Sequence, residues 1–386
     1  MNKSLITVCD NNVFYLDNSL LEKKNKVVSI LKEYGFTLKD ESNIVAPSGE
    51  TSRIIQKKFA MINNEKYKKY GHNAKKFFAE GDIIPSKIDP ELELIETGDY
   101  KRRDIFNYAK GFWSAPVSLG YGRRLDYIVW DKTTLKVIGI FGLTDPVIGI
   151  KVRDESILNL KFQDSKWFKP DRTRTTESYY LWTKEQKMDR LYNIMTAYVL
   201  GAVPPYNKYL CSKLIALLAT SNKIRKDFKK RYENKKTVIR NEIKLPHLVM
   251  IDTLGAFGKS AIYNKLEGWK FINYTKGETH IHLTSNGIYD ILYDIVKTFD
   301  EELLKKFKFG NGPNWKFRVV RKGLSILGLK ETLLATGIKR GYYVSPFISN
   351  LGEFLSRKSD KPAFIDKSEE NILRYWNEKW LAKIIK

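Results

Sequence analysis

Histidine is scarce in this sequence: four occur in 386 residues, and two of them, His280 and His282, stand two apart in the run His280-Ile-His-Leu283. In an extended strand that spacing sends both rings to one face, as a two-ligand site for a divalent metal requires. His247 opens another β-rich run and could supply a third nitrogen, while Tyr289 and Tyr293 follow one helical turn apart. The same two histidines would also serve as the polar face of an ordinary sheet. Catalysis through His280 and His282 is therefore one expectation and simple solvation the other.

Two turns suit an anion. In Val199-Leu-Gly-Ala-Val-Pro-Pro-Tyr-Asn207 a β-rich run breaks at Pro204-Pro205 before a helical run from Lys208 to Ala219. The free N–H groups and positive end of a helix start there suit a phosphate or carboxylate near Asn207. Thr253-Leu-Gly-Ala-Phe-Gly-Lys-Ser260 also joins a strand pattern to a helix pattern and resembles a phosphate-binding loop, with Lys259 and Ser260 as its anion contacts. Thr253 stands where the first glycine of such a loop belongs, and a β-branched residue resists the backbone angles glycine accepts. A helix cap with packing glycines is the plainer alternative.

A third group is cationic. Phe309-Gly-Asn-Gly-Pro-Asn-Trp-Lys-Phe-Arg-Val-Val-Arg-Lys322 places Arg318, Arg321 and Lys322 on adjoining turns of a helix whose apolar stripe is Phe317, Val320, Leu324 and Leu327. Lys213 lies on the helix after the double proline. Lys66 to Phe78 interleaves lysines with Tyr67, Tyr70, Phe77 and Phe78, a pattern open to base stacking. Arg318, Arg321, Lys322 and Lys213 are the expected nucleic-acid contacts.

The elements that must position these groups fall into three stretches. Residues 1–98 read as a basic helical region, with a helix from Ser19 stopped by Gly35, more helix over 51–78, and an acidic linker from Asp89 to Glu96. Residues 99–290 read as a mixed α/β core: a hairpin of Leu125–Trp130 with Lys136–Phe141, strands at Ile194–Val203, His247–Ile251, Gly268–Tyr274 and His280–Leu283, and helices between them. Residues 291–386 read as a basic helical region. The fold class is thus α/β with a mixed sheet, flanked by mainly helical ends.

Composition narrows the partners. Lys and Arg number 68 against 44 Asp and Glu, a net charge of +24, which attracts polyanions, so DNA or RNA is the expected partner. A 42% apolar content with 13% aromatic residues excludes a disordered chain or a coiled-coil rod. Cys9 and Cys211 are the two cysteines, too few for a disulfide framework or a cysteine zinc cluster. No apolar run approaches the length of a membrane span, and the expectation is a cytoplasmic protein without a membrane partner.

Several strings taken together resemble the Druantia anti-phage system protein A family. They are Lys136-Val-Ile-Gly-Ile-Phe-Gly-Leu-Thr-Asp-Pro146, Arg153-Asp154, Met195 to Asn207, Ser212 to Leu218, Gly258 to Leu266, Tyr274-Thr-Lys-Gly277, His280-Ile-His282 and Gly310 to Arg321. The resemblance implies a bacterial defence locus that includes a large helicase, and so a protein partner and foreign DNA as targets. The chain departs from the family form near Cys211 and Ser212, at Glu278, and by an insertion around Lys161 to Glu177. The order of elements is also similar to the GNAT acyltransferase arrangement, which implies acetyl-CoA at the turn after the double proline and Tyr263 as proton donor to the departing thiolate. The paired histidines and tyrosines are similar to those of rolling-circle nucleases, which implies a divalent metal polarising a scissile phosphate. The expected function is nucleic-acid binding in anti-phage defence, with a transferase or a metal-dependent nuclease as the enzymatic alternatives.

Overall fold

The computed structural model describes residues 6–9, 12–15, 18–40, 44–45, 47, 49–115, 117–118, 120–171, 173, 178–238, 240–275, 283, 287–308, 315–329, 333 and 339–384. His280, His282 and residues 309–314 lie outside these residues. In chain order the strands used below are β1 (Pro90–Leu94), β2 (Arg124–Asp131), β3 (Lys136–Thr144), β4 (Lys161–Gln163), β5 (Lys166–Pro170), β6 (Tyr179–Trp182), β7 (Ile194–Ala202), β8 (Met250–Leu254), β9 (Lys270–Tyr274) and β10 (Gly341–Pro346). The helices are α1 (Asn18–Glu33), α2 (Gly49–Asn64), α3 (Tyr100–Lys110), α4 (Lys184–Leu191), α5 (Cys211–Leu218), α6 (Asn222–Tyr232), α7 (Ile288–Phe299), α8 (Glu301–Lys308), α9 (Trp315–Ile326) and α10 (Glu369–Lys379).

The chain divides into two compact units, and neither is a continuous stretch. One comprises residues 59–275 and 340–386, the other 1–58 and 276–339, so the boundary near the N-terminus falls inside α2. The first is built on a seven-stranded mixed sheet in the order β9-β10-β8-β7-β3-β2-β1. Neighbours are antiparallel except β7 and β8, which run parallel and pair over Ile194–Thr196 and Met250–Asp252. Alternation along the strands gives the sheet two buried faces. Leu125, Tyr127, Val129, Met195 and Leu200 pack with α5 and Trp376 of α10 on one face. Ile128, Ile140 and Val199 pack with Ile105, Phe106 and Ala109 of α3 on the other. Asp99 caps α3 by accepting a hydrogen bond from the Arg102 N–H at 3.0 Å.

Two segments differ from the sequence pattern. The acidic linker at Asp89–Glu96 is instead edge strand β1, because Leu92 alternates inward while Glu91 and Glu93 do not. Gly341–Pro346, inside the stretch read as helical, is strand β10, paired on both sides in the sheet interior. Outside this sheet, β4, β5 and β6 make a separate three-stranded antiparallel sheet.

In the other unit α1 buries Leu20, Val27, Val28 and Leu31, an i, i+7, i+8, i+11 stripe, and α7 buries Ile288, Leu292, Ile295 and Val296. The helices α7 and α9 approach closely at Gly323, where a Cβ would come within 2.9 Å of the Leu292 Cβ. Lys23 of α1 pairs with Asp294 of α7 at 2.6 Å.

Candidate functional site

The sheet face under α3 carries a polar cluster. Between Ala197 and Val199 the register of β7 against β3 shifts by a β-bulge, and a bulge re-aims the side chain it carries. Tyr198, the unpaired residue of the bulge, therefore shares the α3 face with Val199, and its hydroxyl donates to Asp126 of β2 at 2.8 Å. Arg103 of α3 donates to the other Asp126 oxygen, and Arg124 stands 3.9 Å away. Gly142 of β3 makes the space: a Cβ there would lie 2.4 Å from the Tyr198 ring and 2.7 Å from an Asp126 oxygen. Burial pushes the Tyr198 phenol well above its ordinary range. Beside this cluster Lys110 is 7% exposed, with its ammonium group over the Tyr67 ring at 5.2 Å and the Phe106 ring at 5.6 Å. Burial pushes Lys110 down to about 8; Asp126 opposes this, while Arg103, Arg124 and Lys66 add to it.

A second buried group sits where β7 and β8 diverge. Asp252 accepts from the hydroxyls of Thr196 and Tyr342, the latter at 2.7 Å. Burial raises its pKa, and Arg153 and the two hydroxyls counter the rise. Arg153 is fully buried, donates to the carbonyls of Val147 and Ile148 at 2.7 and 2.9 Å, and pairs with Asp154. Lys187 closes that pair from the other side, 2.7 Å from Asp154.

The strand, turn and helix read from Val199 to Leu218 exist as β7, a turn with a cis Pro204-Pro205 bond, and α5. The Asn207 and Lys208 side chains are exposed, but N–H groups of the turn are engaged within the protein. The Asn207 N–H donates to the Val203 carbonyl at 3.1 Å, and the Ala202 N–H donates to the Ser212 hydroxyl at 3.0 Å. Trp376 of α10 donates to the Leu210 carbonyl at 3.3 Å at the start of α5. Lys213 points inward, its ammonium donating to the carbonyls of Ala261, Ile262 and Asn264 at 2.8, 3.0 and 3.0 Å. Burial pushes this lysine down to about 8. It ties α5 to the segment after β8 and has no ammonium hydrogen left for a phosphate.

That segment is a turn over 261–265 in place of the expected helix. The Gly258 carbonyl accepts from Gly341 at 2.9 Å, and the Ser260 N–H donates to the Tyr343 hydroxyl at 2.8 Å, so the loop is stitched to β10. Lys259 is exposed, with its ammonium 4.8 Å from the Phe271 ring. Tyr263 is buried between Trp269 and Tyr343, with side-chain hydrogen bonding to Thr253. His247 is half-buried against Phe364. Among the described residues no group of three His, Cys, Asp or Glu side chains is placed to hold a metal.

Arg318 and Arg321 are exposed on α9, and Lys322 is half-buried there; the guanidinium of Arg321 lies 4.6 Å from the Phe317 ring. A denser cationic surface, absent from the expected contacts, lies on α6. Ile224 and Phe228 bury one side of that helix, while Lys226, Lys229 and Lys230 are exposed and Lys235 and Lys236 follow. Its signal was legible as Lys223-Ile-Arg-Lys-Asp-Phe-Lys-Lys-Arg231, with Lys223, Lys226 and Lys230 at i, i+3 and i+7. Between α6 and edge strand β1 runs an open groove of about 710 Å³. Arg102 and Arg231 in it are engaged by Glu93 and Glu96, Lys230 and Lys235 also line it, and on the exposed side of α6 Lys229 lies 3.6 Å from Glu233 beside Lys226.

The fold is thus a mixed α/β sheet protein with a buried charged face and a helical second unit. A family model for Druantia protein DruA matches residues 51–167 and 155–357. The Druantia protein DruA of Escherichia coli (strain UMEA 4076-1) is 35% identical over 355 residues, covering 88% of this chain and 81% of that protein. The chain belongs to the Druantia DruA family and is a component of anti-phage defence. No solved structure matches it. Among the described residues no helix is long and apolar enough to cross a membrane.

Proposed function

We propose that this DruA family protein binds nucleic acid, DNA foremost, through exposed cationic helices, and works beside a helicase and other proteins of its defence locus. The observation that carries the proposal is α6, where Lys226, Lys229 and Lys230 stand exposed on consecutive turns in a chain of net charge +24. The exposed arginines of α9 offer the same chemistry in the other unit. Each phosphate neutralised by such a side chain releases a counterion, so affinity falls steeply with salt. Fluorescence anisotropy with a labelled 20-base-pair duplex tests this. The expected result is a loss of roughly 100-fold or more in affinity between about 50 and 200 mM salt. Affinity that stays flat, or no binding at low salt, overturns it.

A GNAT-like transferase is the second reading, favoured by one arrangement. The parallel strands β7 and β8 pair over three residues and then part, β7 carries a bulge, and Tyr263 lies beside Thr253 just past that point. Burial raises the Tyr263 phenol and keeps it a neutral proton donor. Acetyl-CoA would have to enter beside a turn covered by α10. Calorimetry with millimolar acetyl-CoA gives measurable heat if this reading holds, and none if it fails.

A further inference from the structure

The three-stranded sheet β4-β5-β6 has one face whose middle packs on the core. Its register places Phe162, Trp167, Tyr180 and Trp182 on the same side; Trp167 and Trp182 turn inward, while Phe162 and Tyr180 on the edge strands are 56% and 45% exposed. Trp182 is 2% exposed, and the ammonium groups of Lys169 and Lys187 sit over Trp182 and Trp167 at 4.2 and 4.3 Å. The hairpin joining β4 to β5 turns through Asp164 and Ser165, both at positive φ (48° and 62°), the two-residue form that matches strand twist. Register, turn and core face together fix which side chains point the other way.

That other face carries Lys161, Gln163, Lys166, Phe168, Tyr179 and Leu181. An antiparallel sheet with one buried face ordinarily presents polar side chains to water on the other. Here Tyr179 is 41% and Leu181 50% exposed, with Phe168 half-buried opposite Leu181 on the neighbouring strand. The Lys161 ammonium lies 5.5 Å from the Tyr179 ring, and Lys166 is exposed at the edge. No strand residue on this face is a carboxylate. Flat rings flanked by ammonium groups on a rigid sheet offer stacking surface to bases and attraction to the phosphates between them. A duplex hides its base faces and cannot use such a surface.

We infer that the outer face of β4-β5-β6 is a stacking platform for the unpaired bases of a single-stranded nucleic acid, an inference that rests on the nucleic-acid reading and narrows it. The test compares the full chain with Tyr179→Ala/Leu181→Ser and with Tyr179→Phe, using labelled dT20 and the 20-base-pair duplex at one salt concentration. The expected result is about ten-fold or greater weakening on dT20 for the double variant, duplex affinity within two-fold of wild type, and retained dT20 affinity for Tyr179→Phe. A strand carrying 5-iodouracil should photocrosslink to the peptide containing Phe168 or Tyr179. Wild-type binding to both probes with no loss on dT20 overturns the platform and leaves the nucleic-acid reading standing, as does equal loss on both probes or a crosslink confined to other segments. Failure of the wild type to bind either probe overturns both. Retention of a purified Druantia partner that depends on Tyr179, without any effect on dT20, assigns the face to protein docking instead.

Discussion

At Lys110 an amine sits under two aromatic rings with guanidinium groups nearby, and burial lowers its pKa to about 8. The unfolded chain keeps this lysine protonated up to the ordinary value near 10.4. Between those values the unfolded state holds more protons, so stability rises with pH. The stability of the wild type relative to Lys110→Met should therefore increase by about 2–3 kcal/mol from pH 8 to 10.4. Urea unfolding of both proteins across that range measures it, and parallel curves would show that the folded lysine titrates normally. Sequence reasoning had no access to this site. Asp126, Tyr198 and Arg103 are far apart in the chain, and it is strand pairing and the packing of α3 on the sheet, not a local motif, that bring them together. Lys213 shows the converse: it read as a surface cation on a helix, yet three carbonyls outside that helix hold it inside.

Elements with strong periodicity were legible. The hairpin of β2 and β3, the strand ending at the double proline and the helix stopped by Gly35 all exist close to where the apolar pattern places them. The misses have physical reasons. Strand β1 alternates Glu with Leu and so carries a linker's charge, while its pairing partner Arg124–Asp131 supplies the order. Strand β10 is as long as its neighbours, but it sits in a stretch otherwise helical, and its place between β8 and β9 depends on contacts that no local window contains. Helix α6 announces itself by its lysine spacing and not by an apolar stripe, because only Ile224 and Phe228 are buried along it, and that narrowness leaves its lysines in water. Reversing Lys226 and Lys230 to Glu should weaken duplex binding by about ten-fold or more and flatten the logarithmic salt slope by about two. An unchanged slope in the same anisotropy assay would move the contact to another surface.

At the scale of the molecule, the three consecutive stretches read from the sequence and the two units of the structure divide the chain differently. Residues 1–58 join 276–339 because the buried stripe of α1 is completed by α7, a pairing across more than two hundred residues. Deleting 1–58 should therefore expose α7 and α9 to protease while 59–275 and 340–386 stay protected. Limited trypsinolysis followed by mass spectrometry reads this out, and uniform resistance of 276–339 would show that it folds without the N-terminal segment.

The chain leaves the sheet after β9 and re-enters at β10, on adjacent antiparallel strands, with the Thr275 N–H donating to the Arg340 carbonyl at 2.8 Å and the Arg340 N–H donating to the Thr275 hydroxyl at 3.3 Å. Departure and return thus share one hydrogen-bonded doorway. A detour anchored in that way can change length without disturbing the order of the strands on either side of it, because its two ends are held in place by the sheet and by each other.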